Sequence, residues 1–217
     1  MGQWEEWSPW SNDDIDDAII NELRTIAVIK KARKGQVFYW DGLDNSLFLL
    51  LKGSVEVSLT SAQGHRIILA IHHPYAFIDD ALADNTDNYA VAIHCLEHCE
   101  FAVFDQETMT SAAKGNPEIY DCMLRSAINT IQMLTHHLAN QTFNSVQERI
   151  FNLFCNLASK YGREVEEGTL IERRLTHQVI ADLVGSTRVR VTQSLKDMRA
   201  SKRLLSRGGY YIIPKNP

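Results

Sequence analysis

Ile15, Ala18, Ile19, Leu23 and Ile26 recur at helical spacing near the start of the chain and predict a short helix within residues 13–29. From about Lys30 the texture changes. Short apolar runs, "QVFYW", "SLFLLLKGSVEVSLT", "HRIILAI", "NYAVAIH" and "EFAVF", alternate with Gly35, Gly42, Gly53 and Gly64. Such runs, about ten residues apart with turn residues between them, predict an all-β barrel or jelly roll. No helix-length periodicity interrupts them. After "GNP" (115–117) the period is helical again. Asn116 can cap and Pro117 suits a first turn. Leu124, Ala127, Ile131, Leu134 and Leu138 then form a 3-4-3-4 seam. A long helix with that seam predicts a homodimer, with Ile119, Met123 and Met133 left for packing on the β domain.

A second helix is expected from Ser145 to Tyr161, with Val146, Ile150, Leu153, Phe154 and Leu157 on its apolar face and Gly162 as C-cap. The charged "REVEEGT" that follows predicts a loop. Residues 175–204, "LTHQVIADLVGSTRVRVTQSLKDMRASKRL", carry two short capped helices. Thr176 caps the first, where Ile180, Ala181 and Val184 face inward. Gly185 marks the tight turn, where a side chain would hinder close helix approach. Ser186 or Thr187 caps the second, where Val191, Leu195 and Met198 pack back. This is a helix-turn-helix. "LLSRGGYYIIP" then predicts a β-hairpin turning at Gly208-Gly209, which makes the unit a winged helix.

Charge sharpens this division. The whole chain has a net charge of -5, but residues 145–217 hold 13 Lys/Arg against 7 Asp/Glu, and residues 1–144 hold 9 against 20. A basic C-terminal module suits a polyanion. Its second helix presents Arg188, Arg190, Thr192, Gln193 and Lys196. Arginine can donate to guanine O6 and N7, and glutamine can pair with adenine. Arg190 and Thr187 are better placed for phosphates, as is Arg207 on the wing. The alternative function is an effector-binding module whose winged helix contacts protein instead of DNA. No nucleophile–base pair, phosphate loop or metal motif indicates an enzyme. No apolar run reaches membrane-spanning length, and the acidic N-terminus is unlike a signal peptide, so a cytoplasmic protein is expected.

A glycine-punctuated β-roll, a long helix and a winged helix together resemble the CRP/FNR superfamily of bacterial transcription regulators. The resemblance is carried by "KGQVFYWDG", "LFLLLKGSVEV", "QERIFNLFCNLA" and the helix-turn-helix, the last being most similar to that of cyanobacterial global nitrogen regulators. It implies an α+β fold: an N-terminal jelly-roll β-barrel of the cyclic-nucleotide-binding type (1–115), a dimerisation helix (116–143) and a C-terminal winged helix-turn-helix (144–217). It further implies double-stranded DNA with a palindromic operator as partner, half-sites about 34 Å apart, and contact with RNA polymerase. The family's base-reading positions fall on Arg188, Val189 and Gln193. Phosphate-contacting positions fall on Thr176, Gln178, Thr187, Arg190, Thr192, Lys196 and Arg207. Val189 and Gln193 depart from the cyclic-AMP-responsive pattern and imply a different operator core.

The same resemblance places an effector pocket at "FIDDALADNTDNYAVA" (77–92). Asp79 and Asp80 stand where the family's nucleotide binders have Gly-Glu, and Asn88 and Tyr89 where they have Arg and a hydroxyl residue. Leu134-Thr135 stands for the adenine-contacting pair. Four aspartates and no cation repel a cyclic phosphate, so neither cyclic AMP nor cyclic GMP is expected. No cysteine precedes Cys95, so no iron–sulfur cluster is expected. A small molecule, a redox or haem signal, or a constitutive protein with an empty pocket remain as readings. A metal or haem site would draw on His72, His73, His94, Cys95, His98 and Cys99, although strand alternation sends neighbouring residues to opposite faces. The rings of Trp4, Trp7 and Trp10 are expected to pack on the β-roll.

Overall fold

The computed structural model describes residues 15–39, 46–78 and 89–215. Asp79, Asp80, Asn88 and the three N-terminal tryptophans lie outside them. The chain divides into two compact units, one ending at Leu134 and the next beginning at Thr135.

In the first unit, α1 (Asp17–Ile26) starts where the Asp16 carboxylate accepts from Ala18 N at 2.7 Å. It lies within the expected span, and β1 (Val28–Ala32) follows directly. The remaining strands are β2 (Val37–Tyr39), β3 (Leu47–Lys52), β4 (Val55–Ser61), β5 (Arg66–His72), β6 (Phe77–Ile78), β7 (Tyr89–Cys95) and β8 (Cys99–Phe104). They form two four-stranded sheets, ordered β1-β8-β3-β6 and β2-β7-β4-β5, the jelly roll that the spacing predicts. Leu50, Val55, Val57, Ile93, Phe101 and Val103 fill the space between them. Ile19, Leu23, Leu49, Phe104 and Ile119 build a second cluster with α1.

One helix is absent from the sequence reading. α2 (Gln106–Gly115) is capped by Asp105, whose carboxylate accepts from Thr108 N at 2.7 Å. Only Met109 and Ala113 are buried along it, too few apolar positions to register as a period. The aspartate cap was the available signal.

The long helix α3 (Pro117–Phe143) follows. Its apolar residues divide differently from the expected seam. Leu134 packs against the β-roll core beside the buried Met133. Leu124, Ile128, Ile131 and Leu138 are exposed, with Thr135 between the last two. The exposed stripe therefore runs 124-128-131-135-138, and Leu134 belongs to the domain face.

In the second unit, α4 (Val146–Tyr161) begins with a capping box. Ser145 Oγ accepts from Glu148 N, and the Glu148 carboxylate accepts from Ser145 N. Gly162 is the C-cap of this helix, as expected, though not in the left-handed form. It is extended and opens β9 (Gly162–Val165), and a side chain there would run into Ala158 O at 2.0 Å. "REVEEGT" is likewise a hairpin, formed by β9 and β10 (Gly168–Ile171). α5 (His177–Val184), α6 (Arg188–Ala200), β11 (Leu205–Arg207) and β12 (Tyr210–Pro214) complete the unit, and its sheet runs β11-β12-β10-β9. Ile150, Leu153, Phe154, Ile180, Val191 and Leu195 are buried among them, and the Phe154 and Tyr211 rings stack at 4.6 Å.

Candidate nucleic-acid interface

The helix-turn-helix is built by its caps. Thr176 Oγ accepts from Val179 N at 3.2 Å, and Thr187 Oγ accepts from Arg190 N at 3.3 Å. Each hydroxyl keeps its own proton to donate outward. Val191, Ser194, Leu195 and Met198 are buried, whereas Thr187, Arg188, Val189, Arg190, Gln193 and Lys196 all face solvent. Val189 is 78% exposed. An apolar side chain that exposed on a core-packed helix suits contact with a partner, such as a thymine methyl in a groove.

The turn explains Gly185 in an unexpected way. Its φ of +58° lies in the left-handed region, which favours glycine. A Cβ there would also lie 2.3 Å from Gln141 Nε2 on α3. That Nε2 donates to Val184 O at 2.9 Å and closes the end of α5. The obstacle to a side chain is thus a glutamine of α3, which nothing in the local sequence signals.

Several predicted contact residues are already engaged. Thr192 Oγ donates to Arg188 O at 2.8 Å and lies 2.8 Å from His177 Nδ1, within hydrogen-bond distance. Gln178 Nε2 donates to Asp182 Oδ1 at 2.7 Å, and Gln193 Nε2 to Asp197 Oδ1 at 2.9 Å. Gln193 thus turns one donor to its own helix and keeps its carbonyl oxygen. Arg207 pairs with Glu167 at 3.0 Å. Burial lowers the pKa of Arg149 on α4, with a contribution from Arg190.

The β-roll histidines and cysteines are not gathered. His72 and Cys95 both pair with Val55, one from each side, so a strand separates them. His94 pairs with Glu56 on the opposite face, and His98 is exposed in the β7–β8 turn. Among the described residues no group of three or more His, Cys, Asp or Glu is placed to hold a metal ion. The Cys95 and Cys99 thiols do touch. Burial, then the neighbouring Cys99, pushes Cys95 up to about 12, and burial raises Cys99 too. Both are protonated and unreactive near neutrality. Tyr89, at the start of β7, is exposed.

His72 is buried and held neutral. Burial, then His73, lowers its pKa from 6.5 to about 4. The unfolded chain thus takes up a proton that the folded β-roll refuses. Stability from this residue is complete above about pH 6.5 and declines as pH falls towards 4, by about 3 kcal/mol at most. In urea unfolding between pH 7 and pH 4.5, His72→Gln is expected to lose less stability than the unsubstituted protein. Parallel losses would count against this role.

Two family models match the chain: a cyclic nucleotide-binding domain over residues 29–116 and a Crp-like helix-turn-helix domain over 148–217. The global nitrogen regulator of Nostoc sp. is 28% identical over 204 residues, covering 87% of this chain and 89% of the relative. The cAMP-activated global transcriptional regulator CRP of Salmonella typhimurium is 25% identical, covering 77% and 80%. A solved structure of the c-di-GMP responsive regulator CLP from Xanthomonas campestris superposes with a TM-score of 0.78 at 19% identity, covering 92% of this chain and 99% of that one. The chain belongs to the CRP/FNR family of DNA-binding transcription regulators, which are not enzymes. No helix among the described residues is long and apolar enough to cross a membrane.

Proposed function

We propose that the protein works as a homodimer on a palindromic operator, in contact with RNA polymerase. Arg188, Val189 and Gln193 read base edges, while Thr176, Gln178, Thr187, Arg190 and Lys196 hold the backbone. The observation that carries this reading is α6 itself: one face closes the core, and the other exposes Arg188, Val189, Arg190, Gln193 and Lys196 together. In Arg188→Ala, affinity for a selected duplex is expected to fall by about 1–3 kcal/mol and discrimination at one base pair to relax. Unchanged affinity and preference in a mobility-shift titration would remove Arg188 from base reading. Should the wild-type dimer prefer no duplex over random competitor, the reading of the winged helix as a protein-binding module would take its place.

The β-roll acts as the sensor domain, with an effector that is neither cyclic AMP nor cyclic GMP. Leu134, at one position of the pair that contacts adenine in the family, is apolar and packed on the β-roll core. The names of the relatives carry different signals, nitrogen and cyclic AMP among them, so likeness alone selects none. A calorimetric titration is expected to show no heat with either cyclic nucleotide; saturable heat with one of them would overturn this part. An absorption spectrum and metal analysis of the purified protein test the haem and metal readings directly.

A further inference from the structure

We infer that the wing carries a backbone-phosphate site whose cation is Arg174, from the segment between β10 and α5; the inference rests on the DNA-binding reading of the winged helix. The tip of the wing is bare. Gly208 and Gly209 both have positive φ, and nothing lies within 4 Å of where their side chains would start. The wing's own cation is compensated, since Arg207 Nη1 sits 3.0 Å from Glu167 Oε1. That carboxylate, itself partly exposed, would repel an approaching phosphate. Of the neighbouring acids, Glu172 is taken by Arg163 at 2.6 Å, and Glu164 accepts from Thr169 Oγ at 2.9 Å.

Arg174 differs from both arginines. Its guanidinium lies over the Tyr210 ring, 4.9 Å from the centroid, and its Nη2 donates to Gly208 O at 3.4 Å. Neither partner is an anion, and among the described residues no carboxylate pairs with it. A guanidinium has five N–H donors, so most remain available here. Ring stacking and the carbonyl bond hold the fork in place beforehand, which reduces the ordering cost of binding. Arg174 also stands two residues before Thr176, which caps α5. A phosphate at the wing and another at the start of α5 would thus be held by one short segment. A cation so placed fixes position on the duplex and carries no base information.

The test uses the full-length protein, a duplex that the wild type selects from a random pool, and a scrambled duplex of equal length. Affinity is measured from 50 to 200 mM salt. Each phosphate contact contributes about 0.9 to the slope of log affinity against log salt. Arg174→Ala and Arg174→Gln are expected to lower that slope by about one contact and to weaken both duplexes by the same severalfold factor. Glu167→Gln releases Arg207 and is expected to steepen the slope by about one contact. A wild-type slope in both Arg174 variants overturns the assignment, as does a loss confined to the selected duplex. A Glu167→Gln slope equal to wild type overturns the masking of Arg207. If the wild type selects no duplex, the DNA reading fails and this site falls with it; wild-type selection with unaltered Arg174 variants sinks the site alone.

Discussion

Ile131→Asp is expected to leave each chain folded, to prevent dimerisation and to weaken binding to a selected operator by roughly a thousandfold. Ile131 is 62% exposed on α3, and Leu124 and Leu138, one heptad away on each side, are 59% and 67% exposed. A surface stripe that exposed suits burial by a second copy through knobs-into-holes packing. An aspartate there would place two buried, facing carboxylates in the dimer, which is strongly unfavourable. A monomer reads only one half-site, so its affinity drops towards the non-specific level, typically 10³-fold or more below specific binding. Sedimentation would show a monomer, and circular dichroism an unchanged helix content. A variant that stays dimeric with full operator affinity would mean that the exposed stripe is not the dimer contact.

Phe154→Ala is expected to destabilise the C-terminal unit by about 3–5 kcal/mol. Phe154 is fully buried on α4, and its ring stacks on Tyr211 of β12 at 4.6 Å with an interplanar angle of 29°. Truncation removes that stacking and leaves a cavity between α4 and the wing sheet. Denaturant unfolding followed through a signal from this unit would show a lower midpoint, and DNA affinity measured well below that midpoint would change far less. A midpoint within the equivalent of about 1 kcal/mol of wild type would show that the site can collapse around the loss.

The caps illustrate what was legible beforehand. Thr176, Thr187 and Ser145 each accept from a backbone N–H three residues on, so the boundaries of α4, α5 and α6 follow from short-range chemistry. The same holds for the Gly208-Gly209 hairpin, where consecutive positive φ values call for glycine. α2 escaped because it buries few side chains. "REVEEGT" escaped because its strands are polar and gain their stability from β12, far along the chain. The expected seam slipped at Leu134, while Ala127 stays exposed beside Ile128. Spacing at three and four shows that a helix has an apolar stripe, but not which of two adjacent stripes meets its own domain.

By itself the sequence determined the order and type of most elements, the helix-turn-helix and the basic character of its module. Those features depend on periodicity, capping and composition, which act over a few residues. Only the tertiary structure decided that Leu134 turns to the β-roll, that Gln141 closes the turn at Gly185, and that Glu167 claims Arg207 while Arg174 rests on Tyr210. Each is a pairing between residues distant in the chain, and such pairings are set by which surfaces close packing brings together.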